Sequence, residues 1–258
     1  MADILKVEAV VIGSGPGGYV AGIRLGQLKV STLVIEKGQV GGVCLNVGCI
    51  PSKALIHAAK TFAKLGHAAE LGIQVPGAAT IDLAATQKWK QGIVGKLTSG
   101  VRQLLKGNGV QLLEGEATVK GPGLVEVKRA DGSLVTVEAK AIVLATGSRP
   151  VAIPGFAFDG QRVIDSTGAL ALAEVPRRLT VIGGGYIGLE LGTVYAKLGA
   201  KVTVVEAMPA VLPGSDPECV AVVARKLRKL GIETMTSAKA VSWREAGEHA
   251  VVVAEVGG

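Results

Sequence analysis

Apolar positions in this chain alternate between two patterns. Short continuous runs of Val, Ile, Leu, Ala and Thr at residues 9–12, 141–145 and 179–182, with similar runs closing on Glu36 and Glu206, predict strands buried on both faces. Stretches with helical spacing predict helices over Pro51–Leu65, Leu83–Lys106 and Pro217–Leu230, and Pro51 and Pro217 suit a first helical turn. Residues 125–137 and 241–256 read as hairpins, the first turning at Asp131-Gly132. Prolines at 150, 154 and 176 mark a boundary, giving expected domains of 1–150 and 151–258.

The strand–helix–strand pattern occurs twice. Residues 10–36 align without a gap to residues 180–206, at a constant offset of 170 that carries Gly13 onto Gly183. Each copy has a β-branched run, then G-x-G-x-x-G (Gly13, Gly15, Gly18; Gly183, Gly185, Gly188), a helix, and a second run ending in Glu36 or Glu206. The chemistry requires that order. The first glycine permits a tight turn, the second lets backbone approach a pyrophosphate, and the third lets helix and strand pack closely. The terminal acid accepts hydrogen bonds from a ribose diol. One such glycine turn often marks nothing more than a turn, but two in full register predict two dinucleotide sites. The expected fold class is therefore α/β, with two Rossmann-like domains of parallel sheet and β-meander insertions. Glu206 would repel a 2′-phosphate, and Ala207 and Met208 supply no arginine for one, so the second site favours NAD over NADP.

Composition narrows the partners. The chain is 48% apolar and 19% charged, ample for a core. Charge and glycine break every long apolar run, so no membrane span is expected. The acidic Asp3 and Glu8 argue against a signal peptide, which points to the cytoplasm. The net charge of +7 comes with only 3% aromatic residues, so no nucleic-acid surface is expected. The cluster Arg225, Lys226, Arg228 and Lys229 reads as a solvated helix face.

Three cysteines are too few for a secreted disulfide framework. Cys44 and Cys49 lie just after the first cassette. A zinc site would need two further ligands and only His57 is near, so no metal is expected. Two inert core cysteines are the plainer alternative to redox chemistry. A thiol beside the helix opened by Pro51 would have its thiolate stabilised by the helix dipole. Cysteines five apart diverge by ~140° on a regular helix, at ~100° per residue. If they form a disulfide, the first turn must distort, with Gly48 the relief, and the bond should be readily reducible. Cys219 reads as a core residue, and His57, His67 and His249 as structural or solvent-facing.

The segment GGVCLNVGCIPSKALIH resembles the redox-active signature of the pyridine nucleotide–disulfide oxidoreductases, and the resemblance runs through the chain, including the turn Ala145-Thr146-Gly147-Ser148-Arg149-Pro150. Leu45, Ile50 and Ser52 resemble the dihydrolipoyl-oxidising branch most, with mercuric and glutathione reductase-like members as alternatives. The resemblance implies FAD in the first cassette, held by Gly13, Gly15, Gly18, Glu36, Gly42, Ala117, Thr146 and Gly147. It implies NAD in the second, held by Gly183, Gly185, Tyr186, Ile187, Gly188, Glu206 and Ala238. Cys44 would be the interchange thiol of a Cys44–Cys49 disulfide, and Cys49 the thiolate against the flavin. Lys53 would approach the flavin edge, paired with Glu190, and Tyr186 would cover the flavin face. From spacing alone, Glu190 is equally a first-turn acid and Lys53 a surface lysine.

The implied reaction oxidises a protein-bound dihydrolipoyl group to its disulfide with NAD+. The implied partners are a second copy of the chain and the lipoyl domains of 2-oxo acid dehydrogenase complexes or the glycine cleavage system. The family's base is a histidine held by a glutamate in a His-Pro-Thr context. That segment, the Gly-Asp turn of the FAD site and the C-terminal dimerisation domain are expected outside these 258 residues. The alternative to a working enzyme is a fragment that binds nucleotide without turnover.

Overall fold

The computed structural model describes residues 3–257, in two units. In chain order the main elements are β1 (Asp3–Ile12), α1 (Pro16–Gln27), β2 (Thr32–Glu36), α2 (Gly42–Val47), α3 (Cys49–Leu65), α4 (Leu83–Gly107), β3 (Gln111–Glu114), β4 (Glu116–Gly121), β5 (Leu124–Lys128) and β6 (Leu134–Leu144). They continue with α5 (Ser166–Leu170), β7 (Arg178–Ile182), α6 (Tyr186–Lys197), β8 (Lys201–Val205), α7 (Pro217–Lys229), β9 (Glu233–Met235), β10 (Ala238–Ala246) and β11 (His249–Val256).

One unit comprises residues 3–51 and 91–149. Its six-stranded sheet has the order β3-β2-β1-β6-β5-β4. The first four strands in that order pair in parallel, and β4 and β5 form an antiparallel meander with the start of β6. Alternate residues of β1 and β2 face two cores. Val10, Ile12, Leu33 and Ile35 meet Val125 and Val127 of β5 with Val135 and Val137 of β6. Val11 and Val34 meet Leu45 of α2 and Val101 and Leu105 of α4. Burial of both faces is why the runs in β1 and β2 are continuous rather than alternating. The runs expected to be buried at 141–145 and 179–182 are covered less, with Ala141, Leu144 and Thr180 exposed.

The hairpin and the buried strand expected separately at 125–137 and 141–145 share one element. β6 is a single strand whose first half pairs with β5 and whose whole length follows β1, from Asp3↔Val135 to Ile12↔Leu144. Because both neighbours accept the same strand, no turn is needed between the two patterns.

The other unit comprises Ser52–Lys90 with residues 150–257. Its parallel sheet has the order β7-β8-β9, and β10 and β11 form a separate antiparallel hairpin. Val202 and Val204 of β8 pack on Leu189 and Tyr195 of α6 and Leu227 of α7. Ser52–Lys90, within the expected first domain of 1–150, groups with the residues after 149. The reason is packing. Leu55 and Ala59 of α3, with Leu83 of α4, share a core with Leu170 of α5 and Leu191, Val194 and Leu198 of α6.

Two surface expectations change. Cys219 is exposed in the first turn of α7, of which only Leu227 is buried, so it is no core residue. Among the described residues, Gly42–Leu65 has the length and apolar composition to cross a membrane, although Gly48 divides it into α2 and α3.

Candidate functional site

Both glycine turns close at the carboxyl ends of parallel strands. In the first, Gly13 has a left-handed backbone (φ +100°), and a Cβ there would fall 2.2 Å from the Ala145 carbonyl oxygen. Ala145 follows β6, and its N–H donates to the Ile12 carbonyl at 2.9 Å. The chain leaves β1 toward β2 on one side and returns as β6 on the other. The turn therefore sits at a topological switch point, where open α/β sheets bind ligands. This return brings Thr146 beside Gly13, with Gly147 exposed next to it.

Gly42 (φ +60°) meets the same turn from the other direction, its Cβ position lying 2.6 Å from the Gly15 Cα. Gly15 is the N-cap of α1 and Gly185 that of α6, and neither makes a side-chain cap. Two helices with no glycine turn, α5 and α7, are capped by side chains. Asp165 accepts from the Gly168 N–H at the start of α5, and Asp216 from the Glu218 N–H at the start of α7. Uncapped N–H groups beneath an open glycine turn make an anion cradle. A Cβ on Gly185 would meet nothing within 4 Å, so the space above that turn is open to a phosphate.

The two acids do more than end their strands. Glu36 and Glu206 are buried at 8% and 7% exposure. Glu36 Oε2 accepts from the Ser14 N–H at 2.8 Å and Oε1 from the Gly38 N–H at 2.8 Å. Glu206 Oε2 accepts from the Gly184 N–H at 2.6 Å and Oε1 from the Met208 N–H at 2.7 Å. The Ser14 carbonyl then accepts from Gly41 N at 3.0 Å, and the Gly184 carbonyl from Leu212 N at 2.8 Å. Gly41 and Leu212 are both left-handed. The repeat thus extends in three dimensions past the point where sequence identity ends. These contacts hold each carboxylate beside its turn, where a ribose attached to a bound pyrophosphate would lie.

The remaining expected cofactor residues are placed as follows. Ala117 is half-buried on β4, and the corner leading into that strand is tied to the first cassette by Gly115 N–H donating to the Glu36 carbonyl at 2.9 Å. Ala238 is buried at the start of β10, its N–H donating to the Glu206 carbonyl at 2.9 Å. Tyr186 and Ile187 open α6 and are exposed. Gly188 is tight against its own turn, its Cβ position 2.7 Å from the Gly183 oxygen.

Gly48 separates α2 from α3 with φ −142° and ψ −116°, neither helical. Cys44 is half-buried in α2, and Cys49 is exposed as the first residue of α3. A Cβ on Gly48 would lie 3.2 Å from the Cys44 Cα and 2.9 Å from the Val43 oxygen. The distortion expected between the cysteines is thus present at Gly48. Asn46, which the sequence reading passed over, fixes the segment. Its Nδ2 donates to the Gly42 carbonyl at 2.8 Å and the Val40 carbonyl at 3.1 Å. The only advance signal was a polar residue inside an otherwise apolar stretch.

Lys53 and Glu190 do not form the expected ion pair. Lys53 is exposed on α3 and Glu190 half-buried on α6, with no contact within 4.0 Å between their charged groups. Among the histidines, His67 pairs with Glu70 at 2.9 Å and His57 lies 6.3 Å from the Trp89 ring.

Two glycine turns with clamped acids, and a cysteine pair interrupted by a glycine at the edge of the first, are what a dinucleotide-binding disulfide oxidoreductase requires. Residues 7–258 match the family described as pyridine nucleotide-disulphide oxidoreductase, and the chain belongs to it. The cofactors of such enzymes are FAD and NAD. The chain is 47% identical over 254 residues to the dihydrolipoyl dehydrogenase of Geobacillus stearothermophilus, covering 98% of this chain and 53% of that one. It is 52% identical over 236 residues to that of Pseudomonas aeruginosa, covering 90% and 50%. Among solved structures it resembles LpdA of Mycobacterium tuberculosis, with a TM-score of 0.87, 28% identity, and coverage of 96% and 55%. The chain spans about half the length of the relatives it matches.

Proposed function

We propose that this chain is the FAD- and NAD-binding portion of a dihydrolipoyl dehydrogenase. The observation that carries the reading is the break at Gly48, which sets Cys49 at the start of α3 while Gly42, in the same short segment, rests on the Gly15 turn. The short segment that carries both cysteines is thereby held against the first glycine turn. FAD would lie against Gly13, Gly15, Gly18, Glu36, Gly42, Ala117, Thr146 and Gly147. NAD would lie against Gly183, Gly185, Gly188, Glu206 and Ala238, with Tyr186 and Ile187 at the helix start. Glu190 would stand near the nicotinamide from α6.

In this reading a substrate thiolate attacks Cys44 Sγ of a Cys44–Cys49 disulfide, and Cys49 leaves as a thiolate. The second substrate thiol then displaces Cys44, giving the cyclic substrate disulfide and a reduced cysteine pair. Bound FAD and NAD+ supply the hydride chemistry that takes up the electron pair and restores the disulfide. Cys49 departs at the first residue of α3, and Lys53 carries a positive charge one turn further along that helix. The partners that complete the reading are a second copy of the chain and lipoyl domains. Three cysteines without a disulfide framework suit the cytoplasm.

The test is steady-state turnover of the full-length protein with NADH against lipoamide, glutathione disulfide and mercuric ion. Lipoamide reduction well above the other two is expected. Preference for either of the others would reassign the substrate. A native mass equal to these residues alone, with FAD bound and no turnover, would leave nucleotide binding as the function.

A further inference from the structure

The two cassettes hold their acids in different ways. Ser14 occupies the second position of the first glycine turn, where the second cassette has Gly184. Its side chain is fully buried, and its hydroxyl donates to Glu36 Oε2 at 2.6 Å, the same oxygen that accepts the Ser14 N–H at 2.8 Å. With Gly38 N–H on Oε1, three donors converge on one carboxylate, which offers about four lone-pair sites. Its remaining acceptor direction is therefore fixed before any ligand arrives. Glu206 has two such donors among the described residues, Gly184 N–H and Met208 N–H. A side chain at 184 has no room, because its Cβ would lie 2.9 Å from Val211 Cγ1 and 3.2 Å from Glu206 Oε2.

We propose that Ser14 is a positioning residue: its hydroxyl locks the Glu36 carboxylate and thereby slows release of the dinucleotide held by the first cassette. The proposal rests on the assignment of FAD to that cassette. An acceptor already held in its bound orientation loses little freedom on binding, so the gain appears as slower dissociation. The second cassette lacks the hydroxyl, so its acid keeps more freedom, which suits a ligand that must leave after each cycle.

The experiment compares FAD release from full-length wild type, Ser14→Ala, Glu36→Gln and the double variant, followed by the rise in flavin fluorescence after dilution. NADH affinity at the second cassette serves as an internal control. Ser14→Ala should speed FAD release about tenfold, the size of one charge-assisted hydrogen bond, and leave NADH affinity unaltered. In the Glu36→Gln background the same substitution should add less than twofold, because its effect passes through the carboxylate. A side chain that only fills space would give multiplicative effects in the two backgrounds, and that result, or unchanged release in Ser14→Ala, overturns the proposal. Unchanged release in Glu36→Gln would instead sink the placement of FAD. Should Ser14→Ala fail to fold, Ser14→Gly, the residue that serves at this position in the second cassette, supplies the same comparison.

Discussion

Gly18 packs so closely beneath Gly13 that a Cβ on Gly18 would fall 1.8 Å from the Gly13 carbonyl oxygen. Gly185 differs, being extended (φ −73°, ψ 170°) with nothing of the protein within 4 Å of its Cβ position. Gly13→Ala and Gly18→Ala should therefore destabilise the fold itself. The left-handed backbone at Gly13 alone costs about 1–2 kcal/mol, before the collision with Ala145 is counted. Gly185→Ala should leave stability within about 0.5 kcal/mol of wild type, as an unhindered surface change does. Its effect should fall on the ligand, raising the KM for NADH more than tenfold by holding the pyrophosphate off the turn. Thermal unfolding alongside NADH titration checks the contrast.

The two cysteines should be separable by spectroscopy. Under the proposed function Cys49, at the start of α3, would be the thiolate facing the flavin. Cys49→Ser should abolish the long-wavelength charge-transfer absorbance of the reduced full-length protein, and Cys44→Ser should retain it while losing turnover with lipoamide. The reverse pattern would exchange the two roles. Gly48→Ala should cost about 1–3 kcal/mol, because its Cβ would press on the Val43 oxygen at 2.9 Å.

Glu206 should decide the choice of pyridine nucleotide. Its carboxylate anchors the Gly184 and Met208 amides and would present negative charge to a bound nucleotide's ribose. Glu206→Gln should weaken NADH binding about tenfold or more through the loss of charge-assisted hydrogen bonds. Glu206→Arg should shift the ratio of kcat/KM values toward NADPH. An unchanged ratio in both variants would place nucleotide selection elsewhere.

The short helix α5 should give the second unit an alkaline signature. Carbonyls at its end and just beyond it are satisfied by side chains from other helices: Tyr195 hydroxyl donates to Ala169, Lys90 Nζ to Leu170 at 2.5 Å and Gln87 Nε2 to Leu172, past the helix, at 2.9 Å. Burial pushes the Tyr195 pKa up from 10.0 to about 12 and pulls that of Lys90 below its ordinary 10.5. The signs oppose. Stability from neutral Tyr195 is complete below pH 10.0 and is lost as pH rises toward about 12. Buried Lys90 favours the folded state as it loses its proton, so its contribution rises with pH up to 10.5. Tyr195→Phe should remove the loss above pH 10.0, and Lys90→Met the rise below 10.5, both read from urea midpoints across alkaline pH.

Local spacing made the two cassettes legible in advance. Each is one strand, one turn, one helix and one strand whose identities repeat at an offset of 170, and Gly18 and Gly188 each answer a constraint set by their own turn, at Gly13 and Gly183. The helix break between Cys44 and Cys49 was legible for the same reason, since five residues on a regular helix cannot bring two side chains together and Gly48 is the place to yield. Beyond that range the sequence was silent. The capture of Ser52–Lys90 by the second unit depends on Leu55 and Ala59 meeting Leu191 and Val194, far along the chain. Exposure of Cys219 reflects how little of α7 its neighbours cover.

The sequence by itself determined that this chain builds two dinucleotide turns and a cysteine pair beside the first, because turn geometry and side-chain period are local properties of the backbone. Only tertiary structure decided what stands against those turns. Ala145 closes over Gly13 because β6 pairs along the full length of β1. Ser14 reaches Glu36 because parallel pairing of β1 and β2 brings their carboxyl ends together. Lys53 stays apart from Glu190 although both carry the family's pattern, because their helices set where those side chains end. Pairing and packing over long separations fix such distances, and a single chain of letters carries no measure of them.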